Sequence, residues 1–190
     1  LRLSLIGHPD RKIWYTVRDG DKLGKEKLKG QDKIKFLYGD ILECLLIFLS
    51  RTAGHTVTDE QKTVSVKGVV GHQDAIVDDV LIDFKSASSY GFKKFKEKTI
   101  HSDDPFGYIA QISAYAKANN LDKAGFVAID KSSGEICYCP VHSMEMINAE
   151  ERIESLKATI KSDMPPPRCY SDVPDGKSGN YKLHIGCVYC

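Results

Sequence analysis

Gly71-His72-Gln73-Asp74-Ala75-Ile76-Val77-Asp78-Asp79-Val80-Leu81-Ile82-Asp83-Phe84-Lys85 is the stretch whose reading decides the fold. Asp78-Asp79 stands between two apolar runs and reads as a tight hairpin turn. A symmetric turn fixes the pairing by counting. Val77 faces Val80, Ile76 faces Leu81, Ala75 faces Ile82, and Asp74 faces Asp83. Directly opposite residues of an antiparallel pair have Cβ atoms about 4.5–5.5 Å apart. Two carboxylates therefore meet across the ladder, on one face. Like charges placed so repel unless something sits between them, and a divalent cation with oxygen ligands is the natural compensator. Strand alternation puts Lys85 on the face of Asp83 and sends Phe84 to the other. Carboxylates, a divalent ion and a lysine are, in outline, a centre for phosphodiester hydrolysis. The plainer alternative is a solvated hairpin with Lys85 as the counter-ion of Asp74 and Asp83.

Outward from the hairpin, the spacing predicts a helix over 33–53. Its apolar positions are Ile34, Leu37, Ile41, Leu42, Leu45, Leu46, Phe48 and Leu49, with Gly54 as the stop. Val64–Val70, Asp74–Val77 and Val80–Lys85 read as strands. A helix is expected over 105–119, with Pro105 near its first turn. Strands follow over 123–130 and 135–141, and a last helix runs over 143–161 and ends before Pro165-Pro166-Pro167. The order α-β-β-β-α-β-β-α argues for an α/β domain with a central mixed β-sheet flanked by helices. Residues 1–190 read as one domain, with 165–190 as an irregular, cysteine-containing appendage.

The chain has 190 residues, enough for one domain with its own core. Hydrophobic residues at 42% and charged residues at 28% are ordinary for a globular protein. No apolar run reaches the ~18 residues of a membrane span, so no membrane partner is expected. The start, Leu1 to Tyr15, lacks the apolar core and small-residue cleavage site of a signal peptide, which points to the cytoplasm. A net charge of +1 neither supports nor excludes a nucleic-acid partner, because a local basic patch suffices. Two such stretches exist: Lys22, Lys25, Lys27, Lys29, Lys33 and Lys35, and Lys93, Lys94, Lys96 and Lys98. Each read alone is a solvated face.

Taken together, the motifs resemble the RecB-like branch of the PD-(D/E)xK nuclease superfamily, bacteriophage-encoded exonucleases in particular. Asp74 stands where that family has its first acidic strand residue, and Asp83-Phe84-Lys85 stands as its D-x-K element. Gln111-Ile112-Ser113-Ala114-Tyr115 matches its Q-x-x-x-Y motif. Gly39-Asp40-Ile41-Leu42-Glu43 falls where relatives carry G-x-x-x-H or G-x-x-x-E on an upstream helix. The segment Ser4–Gly7 with Arg11–Tyr15 resembles the N-terminal element of phage members. No single motif is specific; their ordered set is.

The resemblance implies a restriction-endonuclease-like core and a metal-dependent DNA exonuclease acting in recombination, repair or phage DNA processing. It implies Mg²⁺ or Mn²⁺ held by the side chains of Glu43, Asp74 and Asp83 and by the Phe84 carbonyl, with Lys85 assisting the attacking water. Gln111 and Tyr115 would contact the DNA backbone or position the Lys85 region, and Arg11 and Lys12 would add DNA contacts. A helicase or a single-strand annealing protein is the implied partner, and the host cytoplasm the implied place of work. Gln111 and Tyr115, four apart, share one helix face in any case; an ordinary amphipathic helix is the plainer alternative. Glu43 sits among Leu42, Cys44 and Leu45, and a carboxylate next to an apolar face usually needs a partner; the plainer alternative is a solvated residue at the rim of the helix. An endonuclease of the same superfamily and a catalytically silent DNA-binding subunit are the competing functions.

The six cysteines read as reduced thiols or metal ligands. Cys187-Val188-Tyr189-Cys190 has metal-ligand spacing, and with Cys169 it would offer three thiolates to an iron–sulfur cluster or to zinc. Relatives that bind a cluster place one cysteine before the nuclease motifs, where this chain has Asp10. Cys137 and Cys139 alternate on a strand and are expected to be sheet residues, and Cys44 is expected in the core.

Overall fold

A computed structural model describes residues 1–20 and 29–184. A five-stranded sheet organises them, in the order β1 (Val57–Thr58), β4 (Ala75–Val77), β5 (Val80–Ala87), β6 (Ala124–Asp130), β7 (Ile136–Val141). Only β5 and β6 run parallel; the other pairs are antiparallel, so the sheet is mixed as expected. The β4–β5 register is the one counted from sequence: Ala75 opposite Ile82, Ile76 opposite Leu81, Val77 opposite Val80. Asp78 and Asp79 lie at φ 47° and 63°. Left-handed residues at both central positions make a turn whose twist matches that of the strands, and aspartate tolerates the conformation. The Asp78 carboxylate also accepts from the Thr56 N–H at 2.9 Å, which ties the turn to the chain entering β1.

The helices are α1 (Asp10–Arg18), α2 (Gly30–Thr52), α3 (Ser89–Lys96), α4 (Tyr108–Asn119) and α5 (Ala149–Lys161). The sheet divides the core in two. Leu42, Leu46 and Ile47 of α2 pack against Ala75, Ile82, Phe84 and Ile129. On the other face, Leu81, Phe126 and Ala128 meet Ile112 and Tyr115 of α4, Phe92 and Phe95 of α3, and Ile153 and Leu156 of α5. No described helix is long and apolar enough to cross a membrane.

Several expected elements are corrected. Val64–Val70 is not one strand but a hairpin, β2 (Thr63–Val66) and β3 (Val69–His72), because Lys67 and Gly68 adopt φ 48° and 75° and turn the chain. The helix expected from Pro105 begins at Tyr108. Gly107 at φ 75° precedes it, and Asp104 caps it by accepting from the Ile109 N–H at 2.8 Å. The last helix begins at Ala149, capped by Asn148, while Ser143–Glu145 forms a separate 3-10 turn. Helices α1 and α3 were not anticipated as helices. Cys44 is exposed and not core, because α2 buries only Leu42, Leu46 and Ile47 and residue 44 lies opposite to 42 and 46 around the helix. Ile34, Phe36, Leu37, Ile41, Leu45 and Phe48 are exposed as well. Over the described part of 165–190, only the two-residue strands β8 (Val173–Pro174) and β9 (Tyr181–Lys182) pair.

The N-terminal segment is built into this frame. Leu3 and Ile6 are fully buried, and the Arg152 guanidinium donates to the carbonyls of Ile6 and His8 at 2.9 and 3.0 Å and pairs with Asp10 at 2.7 Å. Gly7 lies directly against Gly107: a Cβ on Gly7 would stand 2.3 Å from the Gly107 Cα. Gly7→Ala must push apart two backbones, an overpacking that costs about 1–3 kcal/mol or more. At about 2–4 °C per kcal/mol for a chain of this size, its Tm is expected to fall by several degrees. An unchanged Tm would mean that the two segments do not touch.

Candidate active site

Lys85 and Asp83 stand on the face of β5 that also carries Leu81, toward α4. Asp83 is 2% exposed, and its carboxylate is in direct ion contact with the Lys85 ammonium. Asp83 Oδ2 meets the Lys85 ammonium, and Oδ1 accepts no hydrogen bond. A buried carboxylate normally has several acceptor sites filled, so this one has capacity left for a cation. Asp74, next to the start of β4, accepts from the Phe84 N–H at 2.7 Å, which fixes it across the ladder from Asp83. The Lys85 ammonium also lies 4.8 Å from the centre of the Tyr108 ring.

The electrostatics follow from this crowding. Burial pushes the Asp74 carboxyl up to about 8, with the charge of Asp83 adding to the effect and Lys85 opposing it. Burial pulls the Lys85 ammonium down, but the Asp83 and Asp74 carboxylates outweigh it and hold Lys85 protonated well above the ordinary lysine range. Burial also raises Glu43; the Gln61 amide opposes this, and Asp83 adds to it.

Glu43 comes from the other layer. It stands on α2, which packs on the Ile82 and Phe84 face of β5, and its half-buried carboxylate accepts from the Gln61 side chain. The charge of Asp83 is close enough to act on the titration of Asp74, Lys85 and Glu43. Among the described residues, however, no three His, Cys, Asp or Glu side chains converge as a ready-made metal cluster. The residues present fit a divalent cation through Asp74 and the unpartnered Oδ1 of Asp83.

Gln111 and Tyr115 do share one face of α4, and the Gln111 amide donates to the Tyr115 hydroxyl at 3.3 Å. Tyr115 is 2% exposed and packs against the N-terminal segment near Leu3 and Gly71, so a direct DNA contact is closed to it. Its hydroxyl still feels Asp83, Asp74 and Lys85. Arg11 donates to the Pro166 carbonyl and lies over the Tyr15 ring, so it is occupied in holding the C-terminal segment. Lys12 stands beside it on α1. Cys137 is half-buried and Cys139 buried in β7, as sheet residues. Cys169 is exposed, and Cys187 and Cys190 lie outside the described residues, as do Lys22, Lys25 and Lys27. Sequence reasoning missed Tyr108 and Gln61. Tyr108 was within reach, since it precedes Gln111 by three and Tyr115 by seven on the same helical face.

Asp74 gives a test of this electrostatic picture. Its folded value of about 8 lies above its ordinary 3.8. The stability linked to its protonation is therefore fully present below about pH 4 and is lost as pH rises through about 8. Asp74→Asn keeps an acceptor for the Phe84 N–H and removes the charge. Without metal, the variant is expected to melt above the wild type at pH 8, with the gap closing toward pH 4. A gap of the opposite sign at pH 8 would contradict the placement of Asp74 beside Asp83. Bound cation would reverse the sign, because it favours the charged carboxylate.

No protein-family model and no curated protein matches the sequence. Solved structures do match. An alkaline exonuclease from Laribacter hongkongensis superposes with a TM-score of 0.56 at 15% identity, over 84% of this chain and 89% of that one. A phage-related exonuclease from Haemophilus somnus 129PT superposes with a TM-score of 0.55 at 16% identity, over 83% and 88%. The chain has the mixed α/β fold of these two exonucleases, with Asp74, Asp83 and Lys85 gathered where its β4–β5 hairpin meets α4.

Proposed function

We propose that this chain is a divalent-metal-dependent deoxyribonuclease that digests DNA from its ends. The observation that carries the reading is Asp83: a buried carboxylate whose Oδ2 meets a lysine and whose Oδ1 has no hydrogen-bond partner, across from a second carboxylate. The exonucleases that share the fold support digestion from ends over internal cleavage.

Mg²⁺ or Mn²⁺, held by Asp74, Asp83, the Phe84 carbonyl and Glu43, would supply a Lewis acid for the phosphoryl oxygens and relieve the repulsion among the carboxylates. The chain's own residues do the rest. In the metal-free chain, Lys85 is held protonated by its two carboxylate neighbours against the opposing effect of burial. Its ammonium stabilises charge developing on the phosphate. The Tyr108 ring confines that ammonium from the side. Gln111 orients the Tyr115 hydroxyl near the same group, so this pair positions Lys85 from within the core.

The test is incubation with end-labelled linear duplex and with covalently closed circular DNA, in Mn²⁺, in Mg²⁺ and in EDTA. Metal-dependent loss of the linear substrate alone is expected. Cleavage of the circle would make the protein an endonuclease of the same fold. Binding without cleavage in any metal would make it a silent DNA-binding subunit.

A further inference from the structure

Between β1 and β2 the chain makes a short loop, 59–62, that holds both carboxylate-bearing segments at once. The Gln61 N–H donates to the Asp74 carbonyl at 2.9 Å, and the Gln61 side-chain amide donates to the Glu43 carboxylate. The next contacts lock the loop to the residue before Asp74. The Gln73 N–H donates to the Lys62 carbonyl at 3.1 Å, and the fully buried Gln73 amide donates to the Asp59 carbonyl at 3.2 Å. The Gln73 oxygen in turn accepts from Asn119 at the end of α4.

Two residues of this loop carry backbone strain. Asp59 lies at φ 53° and Gln61 at φ 49°. Such conformations cost a side-chain-bearing residue energy and persist only where the surroundings impose them. Glycine would take the Gln61 conformation without strain, so what the glutamine adds is its bond to Glu43. The chemistry of that bond is apt for a cation site. A lysine or arginine would fix Glu43 but cancel its charge. An amide fixes the carboxylate and leaves the negative charge for a cation.

We propose that Gln61 is a positioning residue, a brace that joins Glu43 on α2 to Asp74 on the sheet and so sets the two carboxylates for one divalent cation. The inference rests on the nuclease reading above. It accounts for why Glu43 can serve the site from the opposite layer of the sheet.

Gln61→Gly and Gln61→Asn test it. Both tolerate the backbone conformation and keep the N–H to Asp74, and neither reaches Glu43 as the glutamine does. Three quantities are read on the intact chain: Tm in EDTA, the Mn²⁺ concentration that half-completes the Tm rise, and kcat and KM on linear duplex. In Gln61→Gly, Tm in EDTA is expected to equal or exceed that of the wild type. In both variants the Mn²⁺ midpoint is expected to rise, and kcat to fall, by about tenfold, as for lost outer partners of metal ligands, with KM little changed. A wild-type Mn²⁺ midpoint and kcat in both variants, while the wild type cleaves DNA, would overturn the brace and leave the nuclease reading standing. A lowered Tm with an unchanged midpoint would do the same, since it marks a structural role only. A wild type that neither cleaves nor responds to Mn²⁺ would overturn the nuclease reading and the brace together.

Discussion

Asp83→Asn is expected to lower DNA hydrolysis by about three orders of magnitude or more, on the scale of about 4 kcal/mol of lost transition-state stabilisation. Asparagine fits the same space but brings no charge to a cation and places a neutral amide against Lys85. Asp83 is the most enclosed acid of the site, so no solvent replaces what it loses. The fold is expected to survive. Breaking a buried ion pair costs about 3–5 kcal/mol when the remaining charge is stranded, but here Asp74 still faces the Lys85 ammonium. The repulsion between Asp83 and Asp74 is removed at the same time. Rates on linear duplex, read beside a melting curve in EDTA, check both halves. Full activity at unchanged stability would remove Asp83 from the chemistry.

Lys85→Met is expected to act on rate and on stability together. The rate should fall by about 10²–10³, the usual loss when one preorganised stabiliser of developing charge is removed. The metal-free variant should be destabilised by up to about 3–5 kcal/mol, because Asp74 and Asp83 are left facing each other in a buried setting. The loss has a definite pH dependence. At low pH a proton on Asp74 relieves the repulsion, so the Tm gap to the wild type should be small near pH 5 and widen toward pH 8. Added Mn²⁺ should recover part of it. A gap that stays constant from pH 5 to 8 would show that Lys85 is not what balances the two carboxylates.

The hairpin was legible because its determinants are local. Asp78-Asp79 turns the chain, alternation sorts the faces, and the register of 75–77 on 80–82 follows by counting. Helices α2 and α4 were legible from long apolar periodicity. Helix α3 was not: eight residues anchored by Phe92 and Phe95 alone, with Gly91 and three lysines, carry too little pattern. The β2–β3 turn at Lys67-Gly68 was hidden inside a continuous valine-rich run. For the site, sequence spacing brought Asp74, Asp83 and Lys85 together and put Gln111 beside Tyr115. It could not show that Tyr115 is buried, that Arg11 is taken up by the C-terminal segment, or that Gln61 reaches Glu43. Those facts depend on how elements far apart in the chain pack, which periodicity does not encode. Cys44 is the same lesson in reverse, since a helix that is apolar nearly all round does not reveal which stripe faces the sheet.

The central claim is that Asp74, Asp83 and Lys85 form a metal-dependent hydrolytic centre. The most direct measurement is the rate of release of labelled nucleotides from a linear duplex by the wild type and by Asp83→Asn, each in Mn²⁺ and in EDTA. The account predicts turnover by the wild type in Mn²⁺, a rate about three orders of magnitude or more lower for Asp83→Asn in Mn²⁺, and none for either in EDTA. Equal turnover with and without EDTA, or by the folded variant, would contradict it.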